Sequence, residues 1–233
     1  MLKILFADDY LASVDKPAGV LVHRTGLDAG ETRFVLQMLR DQLQRPVWPV
    51  HRLDKGTSGV LLFALHAEVA RALGEQFEEA GCIRKTYIAM VRGWPDAEGT
   101  IDHPLRRLDD DARATRETVQ PALTRYAVEA WLELPLATGA FATTRAAQVR
   151  LEPETGRRHQ LRRHLKHIAH PIIGDATHGK GPLNRALAEH LGHQRLWLHA
   201  TAMALSHPVT GEALHLQAPP GPEWALWKTD QMT

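Results

Sequence analysis

The chain has 233 residues, 44% apolar and 24% charged, enough to bury a sizeable core in one large or two small domains. Its formal charge of +1 gives no global pull toward nucleic acid, so any anion-binding surface must come from how the charges are distributed. The single cysteine, Cys82, excludes an intrachain disulfide, the N-terminus lacks the apolar length of a signal peptide, and no stretch approaches the ~20 apolar residues of a membrane span, so the chain reads as cytoplasmic.

In chain order, Leu2 to Ala7 and Leu11 to Val14 read as two short strands around an Asp8-Asp9-Tyr10 turn. Thr32 to Leu43 carries Val35, Leu36, Leu39 and Leu43 at helical spacing, with Pro46 just beyond the end. Val60 to Leu65 is an apolar run suited to a strand buried on both faces. Glu68 to Ala80 places Val69, Leu73, Phe77 and Ala80 on one helical face, and Gly81 suits the C′ position after it. Lys85 to Val91 reads as a strand with Tyr87, Ala89 and Val91 on one side.

Gly93 to Pro121 is a long polar stretch containing Asp109, Asp110 and Asp111, and reads as a loop or insertion. Leu123 to Leu134 and Thr143 to Leu151 read as neighbouring strands. Arg158 to Ile168 reads as a helix, and a second runs from Gly181 to Leu191 with Pro182 in its first turn. Arg195 to Leu205 and Glu212 to Gln217 are the last strands. Pro219-Pro220-Gly221-Pro222 ends the regular structure, leaving residues 220–233 as a loose C-terminal tail. Strands outnumber helices and the two do not alternate regularly. That favours α+β with a mixed or antiparallel sheet over a doubly wound fold.

The densest chemical signal is His51-Arg52-Leu53-Asp54-Lys55-Gly56-Thr57-Ser58-Gly59, directly before the apolar run from Val60. Gly56 and Gly59 allow a tight turn, so Asp54 sits on a short loop fixed by a rigid strand, where catalytic groups are often carried. The bland alternative is a polar turn with Asp54 as a turn former. A second signal is the stretch from Thr155 to Gly174. It holds Arg157, Arg158, Arg162, Arg163, Lys166 and four histidines, with no acid. A one-sided segment of this kind points to an anionic partner such as a phosphate backbone, with an ordinary basic surface helix as the alternative. His164, His167 and His170 do not make a metal site by spacing. On a helix the first and last lie ~240° apart, and no cysteine or acid joins them.

The His51 to Gly59 block resembles the catalytic motif of the RluA-type pseudouridine synthases. The resemblance extends to Asp15-Lys16-Pro17-Ala18-Gly19-Val20, to Arg84-Lys85-Thr86-Tyr87 and to Thr155-Gly156-Arg157-Arg158-His159-Gln160-Leu161-Arg162-Arg163-His164. It continues through His170-Pro171-Ile172-Ile173-Gly174-Asp175 and Arg195-Leu196-Trp197-Leu198-His199-Ala200, in the family's order, from about Leu11 to Pro219.

The resemblance implies the pseudouridine synthase fold, a central mixed sheet in two lobes with one cleft. Residues 1–219 would form the catalytic domain, without a separate RNA-binding module in front of it. It implies isomerisation of selected RNA uridines with no cofactor and no metal, by a monomer whose partner is RNA rather than DNA or membrane. Asp54 would be the nucleophile. A carboxylate suits attack at an anomeric carbon and later departure. Arg162 would stabilise that charge, and Tyr87 would stack on the base and help move the C5 proton. Arg52 would fill the gap left by the flipped nucleotide or hold the displaced strand. Arg157, Arg158, Arg163 and Lys166 would contact phosphates. His51, Thr57, Leu196 and Leu198 would support the pocket, although for Leu196, Leu198 and His199 core packing is the commoner role.

Segments 152–165, 178–185, 137–139 and 143–145 further resemble the branch of the family that modifies uridine 65 near the acceptor stem of certain tRNAs. A ribosomal-RNA enzyme of the same chemistry is the runner-up. A non-catalytic RNA-binding protein on the same scaffold could dispense with Asp54, which is present. A glycosidase would need a second placed carboxylate.

Overall fold

The computed structural model describes residues 1–24, 30, 32–107 and 118–227. In chain order the elements are β1 (Lys3–Ala7), β2 (Leu11–Lys16), α1 (Val35–Leu43), β3 (Trp48–Pro49), β4 (Ser58–Ala64), α2 (Ala67–Glu78), β5 (Arg84–Arg92) and β6 (Glu98–Asp102). They continue with β7 (Leu105–Arg106), β8 (Val119–Gln120), β9 (Leu123–Leu134), β10 (Thr144–Pro153), α3 (Gln160–His167), α4 (Gly181–Leu191), β11 (Leu198–Ser206), β12 (Ala213–Gln217) and a 3-10 helix, Pro222–Trp227. The class is α+β. The chain folds as two units. The first comprises Met1–Lys85, Arg106–Thr118 and Ala200–Pro219; the second comprises Thr86–Leu105, Val119–His199 and Pro220–Thr233.

In the first unit β4 is the central strand, and all of its residues are buried. It pairs antiparallel with β2 from Leu11↔Ala64 to Lys16↔Gly59, and β1 pairs with β2 on the far side. β11 is its other neighbour, with β12 antiparallel to β11. Val60, Leu62 and Ala64 point to one face of the sheet, as the two-residue period of a strand requires. They pack there against Val69 and Leu73 of α2 and against Met203, Leu205 and Leu216. Leu61 and Phe63 on the opposite face are equally buried, which explains the unbroken apolar run in the sequence.

The second unit is built on the antiparallel order β5-β10-β9-β6. Its two faces follow the parity of β5. Ala89 and Val91, with Ala147, Val149 and Leu151, are covered by Leu161 and Leu165 of α3. Ile88 and Met90, with Leu132, Leu134 and Ala146, are covered by Leu187 of α4 and by Trp197, Trp224 and Trp227.

Four features differ from the sequence reading. The Gly93 to Pro121 stretch holds an edge strand, β6, paired with β9 from Glu98↔Ala127 to Asp102↔Leu123. It buries only Ile101, so it carries almost no hydrophobic period. Asp109, Asp110 and Asp111 lie outside the described residues. The expected loose tail begins instead with the 3-10 helix, whose Trp224 and Trp227 fall three apart, one turn of such a helix, and both are buried. α2 ends at Glu78 with Glu79 extended, so Gly81 is not its C′ residue. α3 starts at Gln160, because His159 takes a left-handed φ of 54° that a helix cannot include.

Candidate active site

The loop from His51 to Thr57 feeds the buried start of β4. It exposes Arg52, buries Leu53 and leaves Asp54 half-buried. A turn bond from the Thr57 N–H to the Asp54 carbonyl, 3.0 Å, closes it. Beneath it lies Lys16, fully buried at the end of β2, whose Nζ donates to the carbonyls of Pro17 (3.0 Å), Lys55 (3.2 Å) and Thr57 (2.7 Å). Such an ammonium is tolerable only because its donors meet acceptors. The Gly19 N–H binds the Lys55 carbonyl at 2.8 Å. The Lys-Pro segment and the Asp54 loop are thereby one hydrogen-bonded assembly, and Lys16 holds the backbone that carries the carboxylate. Gly59 leaves the loop at φ 107°, and a Cβ there would overlap the Ala200 backbone, so only glycine fits.

His51 sits on the strand side of the loop. Its Nε2 accepts the Leu62 N–H at 2.9 Å, and its ring stacks on Phe77, 5.1 Å between centroids. Burial, reinforced by the charge of Lys85, drives its pKa from the usual 6.5 to about 3. His51 is therefore a neutral acceptor that caps a strand N–H rather than a titrating acid or base. Lys85, over the Phe77 ring, is itself pushed below the usual lysine value by burial. Thr57 is 2% exposed and contributes its carbonyl to Lys16.

In the second unit Tyr87 is half-buried on β5, opposite Leu151, on the face covered by α3. The Thr-Gly-Arg-x-His-Gln segment is organised by Gln160. Its Oε1 accepts the Thr155 hydroxyl (2.8 Å) and the Arg157 N–H (2.9 Å), while its Nε2 donates to the Leu123 carbonyl (2.9 Å) and Thr124 Oγ1 (3.0 Å). All its hydrogen-bonding capacity is used, and α3 is pinned to β9. His164, fully buried one turn later, joins Thr124 Oγ1 (2.9 Å) and the His103 carbonyl (3.0 Å) through its two ring nitrogens. Both nitrogens are thus engaged, and burial holds its pKa below the usual value. Among the described residues no three His, Cys, Asp or Glu side chains are grouped to hold a metal ion.

Arg162 is 8% exposed, and Asp175 grips it in a fork. Nε meets Oδ2 at 2.7 Å and Nη2 meets Oδ1 at 2.9 Å. Asp175 also accepts the N–H groups of Thr177 (2.9 Å) and His178 (2.8 Å). Burial alone would raise its pKa, but these donors outweigh it and hold the carboxyl below its usual value. The Nδ1 of His159 lies 3.1 Å from His178 Nε2, next to this pair. Gly174 turns the chain into Asp175 at φ 79°, against the Arg195 carbonyl where a Cβ has no room. Asn184 of α4 clamps the turn by accepting the Gly174 N–H (2.9 Å) and donating to the Asp175 carbonyl (3.0 Å).

The acid-free segment does not present one uniform basic face. Lys166 is exposed, whereas Arg157, Arg158 and Arg163 are half-buried, and Arg157 Nε donates to the Pro121 carbonyl at 3.0 Å. Leu196 and Leu198 belong to the core under α3, and His199 is 2% exposed. Lys16, Gln160 and Asp175 stand out only in the structure. Each lay inside a segment that the sequence marks as distinctive, but its role depends on partners 13 to 41 residues away.

The sequence profile of the RNA pseudouridylate synthase family matches residues 10–167. A Yersinia pestis protein named tRNA pseudouridine synthase C is 51% identical over 222 residues, spanning 94% of this chain and 86% of its own. A Vibrio cholerae protein of the same name is 47% identical over 222 residues, spanning 94% and 91%. Among solved structures, human RNA pseudouridylate synthase domain containing 4 matches with a TM-score of 0.70 at 28% identity, covering 96% of this chain and 90% of that one. Human RNA pseudouridylate synthase domain containing 1 matches with a TM-score of 0.68 at 27% identity, covering 94% and 84%. The matched span takes in the Asp54 loop, the Tyr87 strand and the helix carrying Arg162, and on these grounds the chain belongs to the RNA pseudouridylate synthase family.

Proposed function

We propose that the protein is a tRNA pseudouridine synthase that isomerises uridine 65 in the acceptor-stem region of certain tRNAs. The observation that carries this reading is the 51% identity, over 94% of the chain, to a protein named tRNA pseudouridine synthase C.

In the reaction the C1′–N1 bond of uridine breaks, the base turns, a C1′–C5 bond forms, C5 loses its proton and N1 gains one. Electrons balance without a redox partner, so the chemistry calls for no cofactor. It does call for a nucleophile that holds one fragment while the base turns. Asp54 takes that role, on a loop whose backbone Lys16 fixes. Arg162, its fork oriented by Asp175, stabilises the carboxylate charge. Tyr87 offers a flat ring to the base and a hydroxyl for proton transfer. The target nucleotide must leave its helix, at a cost of a few kcal/mol, and the exposed Arg52 fills the space it vacates. The catalytic domain that supplies these functions includes the 3-10 helix Pro222–Trp227, whose tryptophans complete the core of the second unit, and works as a cytoplasmic monomer.

Mapping pseudouridine in tRNA and ribosomal RNA from cells lacking the protein tests the reading. Loss confined to tRNA position 65 supports it. Loss confined to ribosomal RNA would assign the same chemistry to a different substrate.

A further inference from the structure

Beyond β5 the chain turns at Gly93, φ 76°, and leaves two tryptophans in water, Trp94 at 41% and Trp131 at 49% exposure. Neither ring is loose. Trp94 Nε1 donates to the Leu132 carbonyl at 2.9 Å, and Trp131 Nε1 donates to the Pro95 carbonyl at 3.3 Å. Each indole is thus tied to the segment carrying the other. The Arg145 guanidinium lies over the Trp94 ring, 4.1 Å from its centroid, and 3.7 Å from Glu133. The Gly93 N–H holds the Arg145 carbonyl at 2.7 Å, which fixes the start of β10 beside Trp94.

This patch adjoins the basic segment. His170, three residues past the end of α3, sets its Nδ1 2.8 Å from the Arg92 carbonyl and packs on Gly93 so closely that a Cβ there would lie 3.1 Å from Nδ1. Arg92, Lys166 and His167 are exposed along the same run. Tyr87 and Trp94 are seven residues apart, at most about 25 Å along an extended strand, a span of a few nucleotides.

We infer that Trp94, Arg145 and Trp131 form a second RNA-contact surface, on which unpaired bases of the substrate stack outside the site of isomerisation. The inference rests on the RNA-modifying reading above. A guanidinium plane laid on an indole, beside a second fixed indole, offers flat faces whose ordering cost is already met. Nucleobases stack on such faces with little regard to sequence. Glu133 and the exposed Asp96 keep the patch close to neutral, so stacking rather than phosphate pairing supplies its affinity.

The test compares the full chain with Trp94→Ala/Trp131→Ala on two probes, an unmodified tRNA transcript and a blunt, fully paired duplex containing the same target uridine. The variant is expected to bind the transcript roughly tenfold or more weakly, with an unchanged salt slope, and to bind the duplex normally. KM should rise while kcat holds. In parallel, single-stranded oligouridine should quench the tryptophan emission of the unaltered protein, and Trp94→Phe/Trp131→Phe, which keeps an apolar ring in place, should lose most of that quench. Equal affinity of the alanine variant for the transcript, an equal loss on the duplex, or no quench of the unaltered protein would each overturn the proposal. A change in oligomeric state with RNA affinity intact would make the patch a protein interface instead. Quench and weakened transcript binding without any isomerised uridine would overturn the catalytic reading and leave this surface standing.

Discussion

Arg162 and Asp175 form a buried, two-pronged ion pair, 2.7 and 2.9 Å long, that ties α3 to the turn after Gly174. One edge of the guanidinium is spent on holding the group in place. The carboxylate in turn is fixed by two backbone N–H groups, so the orientation of Arg162 comes from a stretch 13 residues further on.

Asp175→Ala should therefore be costly. It removes both prongs of a buried ion pair, and breaking such a pair from one side destabilises a fold by about 3–5 kcal/mol. Asp175→Asn keeps an acceptor and should cost less, yet still lower turnover by loosening Arg162. Urea unfolding of both variants, alongside single-turnover rates, checks the order; equal stability of Asp175→Ala and the unaltered protein would contradict the pairing.

Acid should weaken the fold in two windows. His51 is neutral in the folded chain down to about pH 3, whereas an unfolded histidine takes up its proton near 6.5. The unfolded state then binds more protons, so stability present above pH 6.5 is lost as pH falls from there toward 3. Asp175, with its pKa depressed, contributes stability that is present above the unfolded value of 3.8 and lost as pH falls through the lower folded value. His51→Gln, whose amide oxygen can still accept the Leu62 N–H, should show a flatter decline between pH 6 and pH 4. Chemical denaturation across that range is the measurement, and identical slopes would remove His51 from the account.

Lys16→Met should remove the ammonium donor from the Pro17, Lys55 and Thr57 carbonyls, of which Lys55 keeps the Gly19 N–H, and loosen the Asp54 loop. A net loss of about 1–3 kcal/mol follows from leaving the buried Thr57 carbonyl unmet. Turnover at a temperature where the variant is folded should fall more than RNA affinity. Retained kcat in a folded Lys16→Met protein would show that the loop holds its shape without the ammonium.

Among the residues of the acid-free segment, exposure separates the expected effects. Lys166→Ala should weaken tRNA binding and flatten its dependence on salt by about one unit of slope, without moving the target site. Arg157→Ala also breaks the bond to Pro121, so its effect should include lost stability. Titrations at several salt concentrations distinguish the two, and an unchanged slope for Lys166→Ala would leave the segment an ordinary surface helix.

Much of this organisation is legible in the sequence. The two-faced apolar run of β4, the β9–β10 pair and the helix over 181–191 announce themselves by period and by flanking Gly and Pro. The motif spacing marks Asp54, Tyr87 and Arg162. What stays hidden depends on contacts distant in sequence or on weak periods. β6 carries a single buried residue, and Trp224 and Trp227 sit in a Pro-rich end that reads as tail. Asp175 lies in a segment with no charge pattern to link it to Arg162. Lys16 stands in the sequence only as part of the Asp15 to Val20 segment, and nothing there points to its three carbonyl partners. Helix α3 reads as basic throughout, yet its Arg162 and His164 face inward, because Gln160 and His164 bind Thr124 and roll that face onto β9.

If Asp54 is the nucleophile, Asp54→Asn must abolish single-turnover conversion of uridine 65 in a purified tRNA transcript. The change removes the nucleophilic oxygen while keeping shape. The expected result is a folded protein that binds the transcript with normal affinity and forms no pseudouridine; substantial conversion by this variant would show that Asp54 is not the nucleophile.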